Sequence, residues 1–103
     1  MLDVNEYFDG RVKSLALTNS DGPLTVGVMT VGEYEFSTSM DEEMSVVSGQ
    51  LQVLLPGDPA LRTFSKGQSF NVPAGSVFQV KVSEETAYLC RYSERSEKLT
   101  GAD

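Results

Sequence analysis

Short runs of alternating hydrophobic and polar residues occupy most of the chain, and Gly, Pro, Asn and Asp separate them. In the run 33–38, Tyr34, Phe36 and Thr38 alternate with charged or small residues, so we expect these three side chains on one face of a strand. No window repeats apolar residues at the helical period over the length of a helix. The pattern predicts an all-β domain with about nine or ten strands, of the sandwich or barrel type. The predicted strands are 11–18, 24–31, 33–38, 44–48, 51–55, 61–64, 69–72, 77–82 and 86–92.

A stretch marked by Gly and Pro, 67–78, contains one of these strands and leads into the next. Gly67 is followed by five residues, then Pro73, one residue, Gly75, two residues and Phe78. Gly adopts backbone angles that other residues resist and Pro fixes its own φ, so the stretch predicts a strand between two tight turns. This spacing resembles the second motif of the cupin barrels, in which the position of Phe78 usually carries a metal-binding His. We therefore expect the Phe78 side chain to point into a barrel.

A second segment resembles the first cupin motif. Gly32 precedes a strand, an acidic corner follows at 41–43, and six residues separate Glu42 from Gly49. The two His of that motif would fall in 37–40, which reads Ser-Thr-Ser-Met, and the chain contains no His. One carboxylate does not make a transition-metal site, so we expect no metal centre and no cofactor. Binding of Mg²⁺ or Ca²⁺ at the acidic corner stays open as an alternative.

Composition narrows the class of protein. The 103 residues suit one small domain, 40% of them are hydrophobic, and no apolar run approaches the roughly 20 residues that cross a bilayer. The formal net charge of −7 argues against a nucleic-acid polymer or an anionic membrane as partner. The single cysteine, Cys90, and an N-terminus without the blocks of a secretory signal predict a cytoplasmic protein. A locally positive pocket for phosphate would draw on Arg11, Lys13, Arg62, Lys66, Lys81 or Arg91.

Five segments together resemble the small bacterial pyrimidine/purine nucleoside phosphorylases, which are metal-free cupins. They are 5–8 (Asn-Glu-Tyr-Phe), 32–38 (Gly-Glu-Tyr-Glu-Phe-Ser-Thr), 42–49 (Glu-Glu-Met-Ser-Val-Val-Ser-Gly), 70–73 (Phe-Asn-Val-Pro) and 88–92 (Tyr-Leu-Cys-Arg-Tyr). The resemblance implies a single-domain cupin-like β-barrel of the jelly-roll type over residues 1–92. It also implies phosphate-dependent cleavage of purine and pyrimidine ribonucleosides to free base and ribose 1-phosphate, without a cofactor. The polar segment 93–103 is expected to be a disordered tail.

For this chemistry, phosphate needs a planar guanidinium and hydroxyl or backbone donors. Arg91, in the Tyr-Leu-Cys-Arg-Tyr strand, is the first candidate, with Ser37 and Thr38 as hydroxyl donors. The alternative for Arg91 is a surface strand residue paired with a carboxylate. The alternative for the two hydroxyls is ordinary hydrogen bonding at the end of a strand.

A carboxylate in the pocket would bind the ribose hydroxyls and favour positive charge at the anomeric carbon. Glu42 and Glu43 are the candidates, and alternation puts them on opposite faces of a strand. We expect Glu42 to point inward because it occupies the Glu position of the cupin motif. The alternative is a solvated acidic corner.

Aromatic side chains bind purines and pyrimidines alike, because every base has a π-face. Tyr34, Phe78, Tyr88 and Tyr92 are the candidates for such a slot, and core packing is the alternative for each of them. Cys90 is interpreted as a buried small hydrophobic residue.

The sequence is compatible with three functions. The first is nucleoside phosphorolysis. The second is non-catalytic binding of a small anionic metabolite, and the third is a structural barrel that acts by dimerising. A homodimer paired through a sheet edge is expected in each case, because an open small barrel must cover its edges.

Overall fold

The computed structural model describes residues 2–93, which form ten β-strands and no helix. The strands are β1 (Val4–Tyr7), β2 (Val12–Asn19), β3 (Gly22–Met29), β4 (Gly32–Ser37), β5 (Asp41–Ser48), β6 (Gln50–Leu54), β7 (Arg62–Ser65), β8 (Ser69–Val72), β9 (Val77–Val82) and β10 (Thr86–Ser93). The predicted all-β class is confirmed. Within these residues there is also no helix with the length and apolar character needed to cross a membrane.

The strands form two antiparallel sheets that face each other. One has six strands in the order β1-β2-β3-β10-β5-β8, and the other has four in the order β4-β9-β6-β7. Between residues 2 and 93, no strand of one sheet pairs with a strand of the other, so the barrel is open. Because β10 lies between β3 and β5, residues distant in sequence become neighbours: Tyr92 faces Glu42, and Arg91 faces Glu43.

Alternation along the strands sends one set of apolar side chains into the space between the sheets. The core contains Val12, Met29, Tyr34, Met44, Val46, Leu51, Val53, Phe64, Phe70, Val72, Phe78, Val80, Val82, Tyr88 and Cys90. Phe78 is almost completely buried, as the cupin-like spacing predicts. Burial of this set provides the main driving force for folding.

Several strand boundaries differ from the sequence prediction. The acidic residues 41–43, predicted as a corner before the strand 44–48, belong to β5 itself. β1 was not predicted, because a four-residue run gives a weak pattern, and its pairing with β2 decides the conformation. Gly22 and Pro23, predicted in a turn, belong to β3. Pro23 faces Thr18 of β2, while the pairing of β3 with β10 ends at Leu24, so the missing N–H interrupts no ladder on that side.

The predicted tail begins at residue 93, but Ser93 is the last residue of β10. The rest of that segment, 94–103, lies outside the described residues.

Candidate functional site

A cavity of about 110 Å³ lies between the two sheets. Its lining combines aromatic, sulfur-containing and small polar side chains with one carboxylate. The lining residues are Tyr7, Ser14, Met29, Phe36, Ser37, Glu42, Met44, Phe78, Tyr88, Cys90 and Tyr92. Aromatic walls with a few convergent polar groups are typical of small-molecule sites.

Glu42 supplies the carboxylate of the cavity. In β5, Glu42 shares the inward face with Met44, and Glu43 points to the outer face. Burial raises the pKa of Glu42 above its ordinary value of 4.5, and a hydrogen bond from Cys90 partly offsets this effect. The inward orientation expected for Glu42 is therefore observed, and the carboxyl group is partly desolvated.

Cys90 is buried as predicted, but it also has an acidic partner that the sequence did not reveal. Its thiol donates to Glu42 Oε1 over a Sγ–O distance of 3.4 Å. Burial, reinforced by the negative charge of Glu42, raises the pKa of Cys90 well above its usual range. The thiol consequently stays protonated at neutral pH and acts as a hydrogen-bond donor to the carboxylate.

Two tyrosines of β10 border the same carboxylate. Burial, with the neighbouring Cys90, raises the pKa of Tyr88 to about 12. Burial also raises the pKa of Tyr92, whose hydroxyl lies 3.0 Å from Thr25 Oγ1. Both phenols are neutral at physiological pH. The Tyr88 ring fits because Gly27 has no side chain, since a Cβ there would lie 2.6 Å from the ring.

A groove of about 540 Å³ adjoins the cavity at the end of the six-stranded sheet. Glu42 and Tyr92 line both spaces, and therefore stand at their boundary. The other residues of the groove are Asp21, Asp41, Glu43, Asn71, Val72, Pro73, Arg91 and Ser93. None of the six basic residues between positions 2 and 93 lines the inner cavity, whereas Arg91 lines the groove.

Arg91 points away from the cavity. Alternation in β10 turns Tyr88, Cys90 and Tyr92 inward and Arg91 outward. The Arg91 side chain is 40% exposed, and its guanidinium lies 3.8 Å from carboxylate oxygens of both Asp21 and Glu43. This is the carboxylate-paired arrangement named above as the alternative for Arg91. Glu43 accordingly lies in the groove with Arg91, on the opposite side of the sheet from the cavity.

The two predicted hydroxyl donors, Ser37 and Thr38, lie in different surroundings. Ser37 lines the cavity, but Thr38 does not. The Thr38 hydroxyl donates to the Pro73 carbonyl over 2.7 Å and accepts from the Ser76 N–H over 3.0 Å. These bonds tie the end of β4 to the turn between β8 and β9, so Thr38 has the structural role given as its alternative.

Only three of the four aromatic residues predicted to bind the base line the cavity. Phe78, Tyr88 and Tyr92 line the cavity, whereas Tyr34 does not. Tyr34 packs against Phe8, with ring centroids 4.9 Å apart, and donates its hydroxyl to the Thr30 carbonyl over 2.9 Å. For Tyr34, core packing is the observed arrangement.

Sequence reasoning did not propose Tyr7 and Phe36 as site residues, although both lie in segments that carry the family resemblance. Their rings are 6.4 Å apart and nearly perpendicular. Tyr7 reaches the cavity because β1 pairs with β2, which the short pattern did not predict. For Phe36, the shared face with Tyr34 was the available signal.

In the part of the chain covered by residues 2–93, no three His, Cys, Asp or Glu side chains converge as metal ligands would.

Comparison with known proteins identifies the family. Residues 2–92 match the family described as pyrimidine/purine nucleoside phosphorylase. A protein of that name from Pseudomonas syringae pv. syringae (strain B728a) is 58% identical over 92 residues, which cover 89% of this chain and 99% of the relative.

Two solved structures agree with the fold. A protein of unknown function from Vibrio parahaemolyticus superimposes with a TM-score of 0.86 at 43% identity, covering 90% of this chain and 99% of that one. An RmlC-like cupin from Shewanella frigidimarina NCIMB 400 has a TM-score of 0.72 at 19% identity, covering 96% and 89% of the two chains. The predicted cupin-like architecture is confirmed, and the chain belongs to the pyrimidine/purine nucleoside phosphorylase family.

Proposed function

We propose that the protein catalyses phosphate-dependent cleavage of purine and pyrimidine ribonucleosides to free base and ribose 1-phosphate. Family membership supports a nucleoside phosphorylase. The main support from this chain is the half-buried Glu42 carboxyl, which lies at the boundary between an aromatic cavity and an open groove. A carboxylate in that position can hold ribose hydroxyls and stabilise positive charge at the anomeric carbon.

The reaction exchanges one bond at the anomeric carbon. The glycosidic C–N bond breaks and its electron pair goes to the base, while an oxygen of hydrogen phosphate forms the new C–O bond. The proton lost by hydrogen phosphate ends on the base nitrogen, so atoms and charge balance. Because the sugar is cation-like in the transition state, positioning and electrostatic stabilisation supply most of the rate enhancement.

The dimensions favour the groove over the cavity as the nucleoside site, with Glu42 and Tyr92 as its inner wall. Pockets for drug-sized ligands measure about 300–1,000 Å³. The groove, at about 540 Å³, falls in that range, and the cavity, at about 110 Å³, does not. We therefore infer that the nucleoside occupies the groove, with its ribose at Glu42 and its base against the ring of Tyr92.

Arg91 remains the proposed phosphate ligand, now from the groove side. Its two ion pairs are long, at 3.8 Å, and their carboxylates, Asp21 and Glu43, are well exposed. Exposed ion pairs contribute little free energy, so a phosphate dianion can compete for the guanidinium.

We also infer that the protein acts in the cytoplasm as a homodimer. One cysteine, buried and protonated, suits a reducing compartment.

The first test is the reaction itself. Uridine and guanosine are incubated with purified protein, with and without phosphate, and base and ribose 1-phosphate are measured by chromatography. We expect equal amounts of the two products, and only with phosphate. Absence of phosphate-dependent base release would reject the proposal. Ligand-dependent thermal stabilisation without turnover would instead favour a non-catalytic, metal-free cupin that binds a small anionic metabolite.

Arg91→Ala is expected to act mainly through phosphate. A charge-assisted hydrogen bond contributes about 1.5–3 kcal/mol, so the KM for phosphate should rise about tenfold to a hundredfold, with a smaller change in the KM for nucleoside. The control is Arg62→Ala, because Arg62 is also exposed and paired, with Asp58 at 3.7 Å, and lies outside the groove. An unchanged dependence of rate on phosphate concentration would show that Arg91 is not the phosphate ligand.

A further inference from the structure

The outer face of the six-stranded sheet carries an apolar row. Val4 of β1 faces Leu15 of β2, Leu15 faces Val26 of β3, and Val26 faces Leu89 of β10. Directly paired residues in antiparallel strands project from the same side of a sheet, so these four side chains form one continuous row. The row crosses four of the six strands.

Further apolar residues extend this row on both sides. Val28 and Ala87 are paired two residues along the strands in one direction, and Leu17 and Leu24 are paired two residues along in the other. The exposed fractions of Val4, Leu15, Val26 and Val28 lie between 37% and 55%. Leu24 is already buried within the chain, so we call the other seven residues, Val4, Leu15, Leu17, Val26, Val28, Ala87 and Leu89, the apolar face.

The four-stranded sheet shows the opposite character on its outer face. There, Glu33 faces Lys81 and Lys81 faces Gln52. In the next row Glu35 faces Gln79, and Leu54 is the one apolar residue paired in these two rows. An antiparallel sheet with one solvated side normally alternates apolar inward and polar outward residues, as this sheet does. The six-stranded sheet departs from that pattern, and contiguous apolar patches of this kind on soluble proteins mark interaction sites.

We propose that a second copy of this chain covers the apolar face, with the two six-stranded sheets packed face to face. The area fits such a partner. The outer face of the whole six-stranded sheet, at about 4.8 Å between strands and about 3.3 Å per residue, spans roughly 600 Å² before side-chain relief is counted. The four strands that carry the apolar face account for roughly 440 Å² of that area. A standard interface buries about 800 Å² per partner.

Shape and charge also favour an identical partner. A flat sheet is covered best by another flat sheet, and a twofold interface places the same patch on both sides. Each chain carries a net charge of −7, so two copies repel unless the contact surface is neutral. The charged residues beside the apolar face meet this requirement, because they form pairs of opposite sign. Lys13, which faces Val28, also faces Glu6, and Arg91, which faces Leu24, also faces Glu43.

The C-terminal segment is chemically a poor alternative cover. Of its ten residues, 94–103, five are charged and only Leu99 and Ala102 are hydrophobic. Burying such a sequence against valine and leucine would desolvate charges without supplying apolar area.

This inference gives the proposed homodimer a specific interface and replaces edge pairing with face packing. It does not depend on the reaction, so its test reads molecular mass and not activity. The mass of the full chain is measured by light scattering after size-exclusion chromatography, over a concentration series. We compare the wild-type protein with Val26→Glu/Val28→Glu and with the control Val77→Glu. Val77 is a 51% exposed valine at the end of β9 in the other sheet, so the control adds a carboxylate of similar exposure elsewhere.

We expect twice the mass of one chain for the wild type and for Val77→Glu. The double variant should have the mass of one chain, with a dissociation constant raised at least about a hundredfold, because each interface would bury unpaired carboxylates. Circular dichroism establishes that it is folded, and Leu15→Arg provides a second substitution on the face if it is not. A wild type that runs as a single chain at every concentration overturns the proposal, as does a folded face variant that stays dimeric.

Discussion

Replacing Glu42 with Gln is expected to lower kcat for nucleoside phosphorolysis about a hundredfold to a thousandfold, the range seen when a preorganised electrostatic group is removed. Gln keeps the size of the side chain and an oxygen that accepts from the Cys90 thiol, which lies 3.4 Å from Glu42 Oε1. What it removes is the negative charge next to the anomeric carbon. The measurement is steady-state kinetics with uridine at saturating phosphate. Glu35→Gln, on the exposed outer face of the four-stranded sheet, is the matched control and should change kcat little.

Measuring thermal unfolding distinguishes a loss of catalysis in Glu42→Gln from a loss of folded protein. Since burial raises the pKa of Glu42 above 4.5, the folded protein holds this proton more tightly than the unfolded chain. Its contribution to the free energy of unfolding is therefore greatest at low pH, and is lost as pH rises through the window from 4.5 to the raised pKa. The Gln variant carries no such group, so at neutral pH it should unfold at the same temperature as the wild type or higher. Full activity in a well-folded Glu42→Gln protein would remove Glu42 from the proposed mechanism.

The second large effect is expected at Gly49, in the turn between β5 and β6. Gly49 has φ +96°, and an added Cβ would overlap Thr86 Oγ1 and lie 2.9 Å from the Glu85 carbonyl oxygen. Thr86 is fully buried, and its hydroxyl lies 3.0 Å from the Gln50 carbonyl oxygen and accepts from the Gln50 N–H over 3.2 Å. Neither neighbour can move without breaking this contact between the turn and the first residue of β10.

Gly49→Ala is therefore expected to lower the free energy of unfolding by about 3 kcal/mol, from about 1–2 kcal/mol for the left-handed backbone and about 1–3 kcal/mol for the clash. In a domain of this size, that corresponds to a Tm lower by roughly 15 °C. Gly57→Ala is the control, because Gly57 has a similar φ of +81° but nothing within 4 Å of the added Cβ. It should lose only the backbone contribution. Equal shifts in Tm for the two variants would show that the contact with Thr86 is unimportant.

Much of the fold and part of the site follow from periodicity. Alternation predicted the β class and put Glu42 and Glu43 on opposite faces of a strand. The resemblance to the cupin motifs then predicted that Glu42 and Phe78 point inward. The same alternation that buried Cys90 also implied an outward Arg91 one residue later, so that orientation was available before the structure. Both a surface ion pair and a phosphate ligand need an arginine that points outward from the strand. The alternation along β10 therefore could not distinguish between these two roles for Arg91.

The amino-acid pattern is enough to tell which side chains share a face, because a strand has a fixed two-residue period. Which faces meet depends on how the strands assemble into sheets. The contact of Cys90 with Glu42 joins residues 48 positions apart and exists because β10 lies beside β5. The position of Tyr7 in the cavity wall and the alignment of Val4, Leu15, Val26 and Leu89 across four strands likewise depend on strand order and register. Order and register are settled by long-range packing, and no local pattern records them.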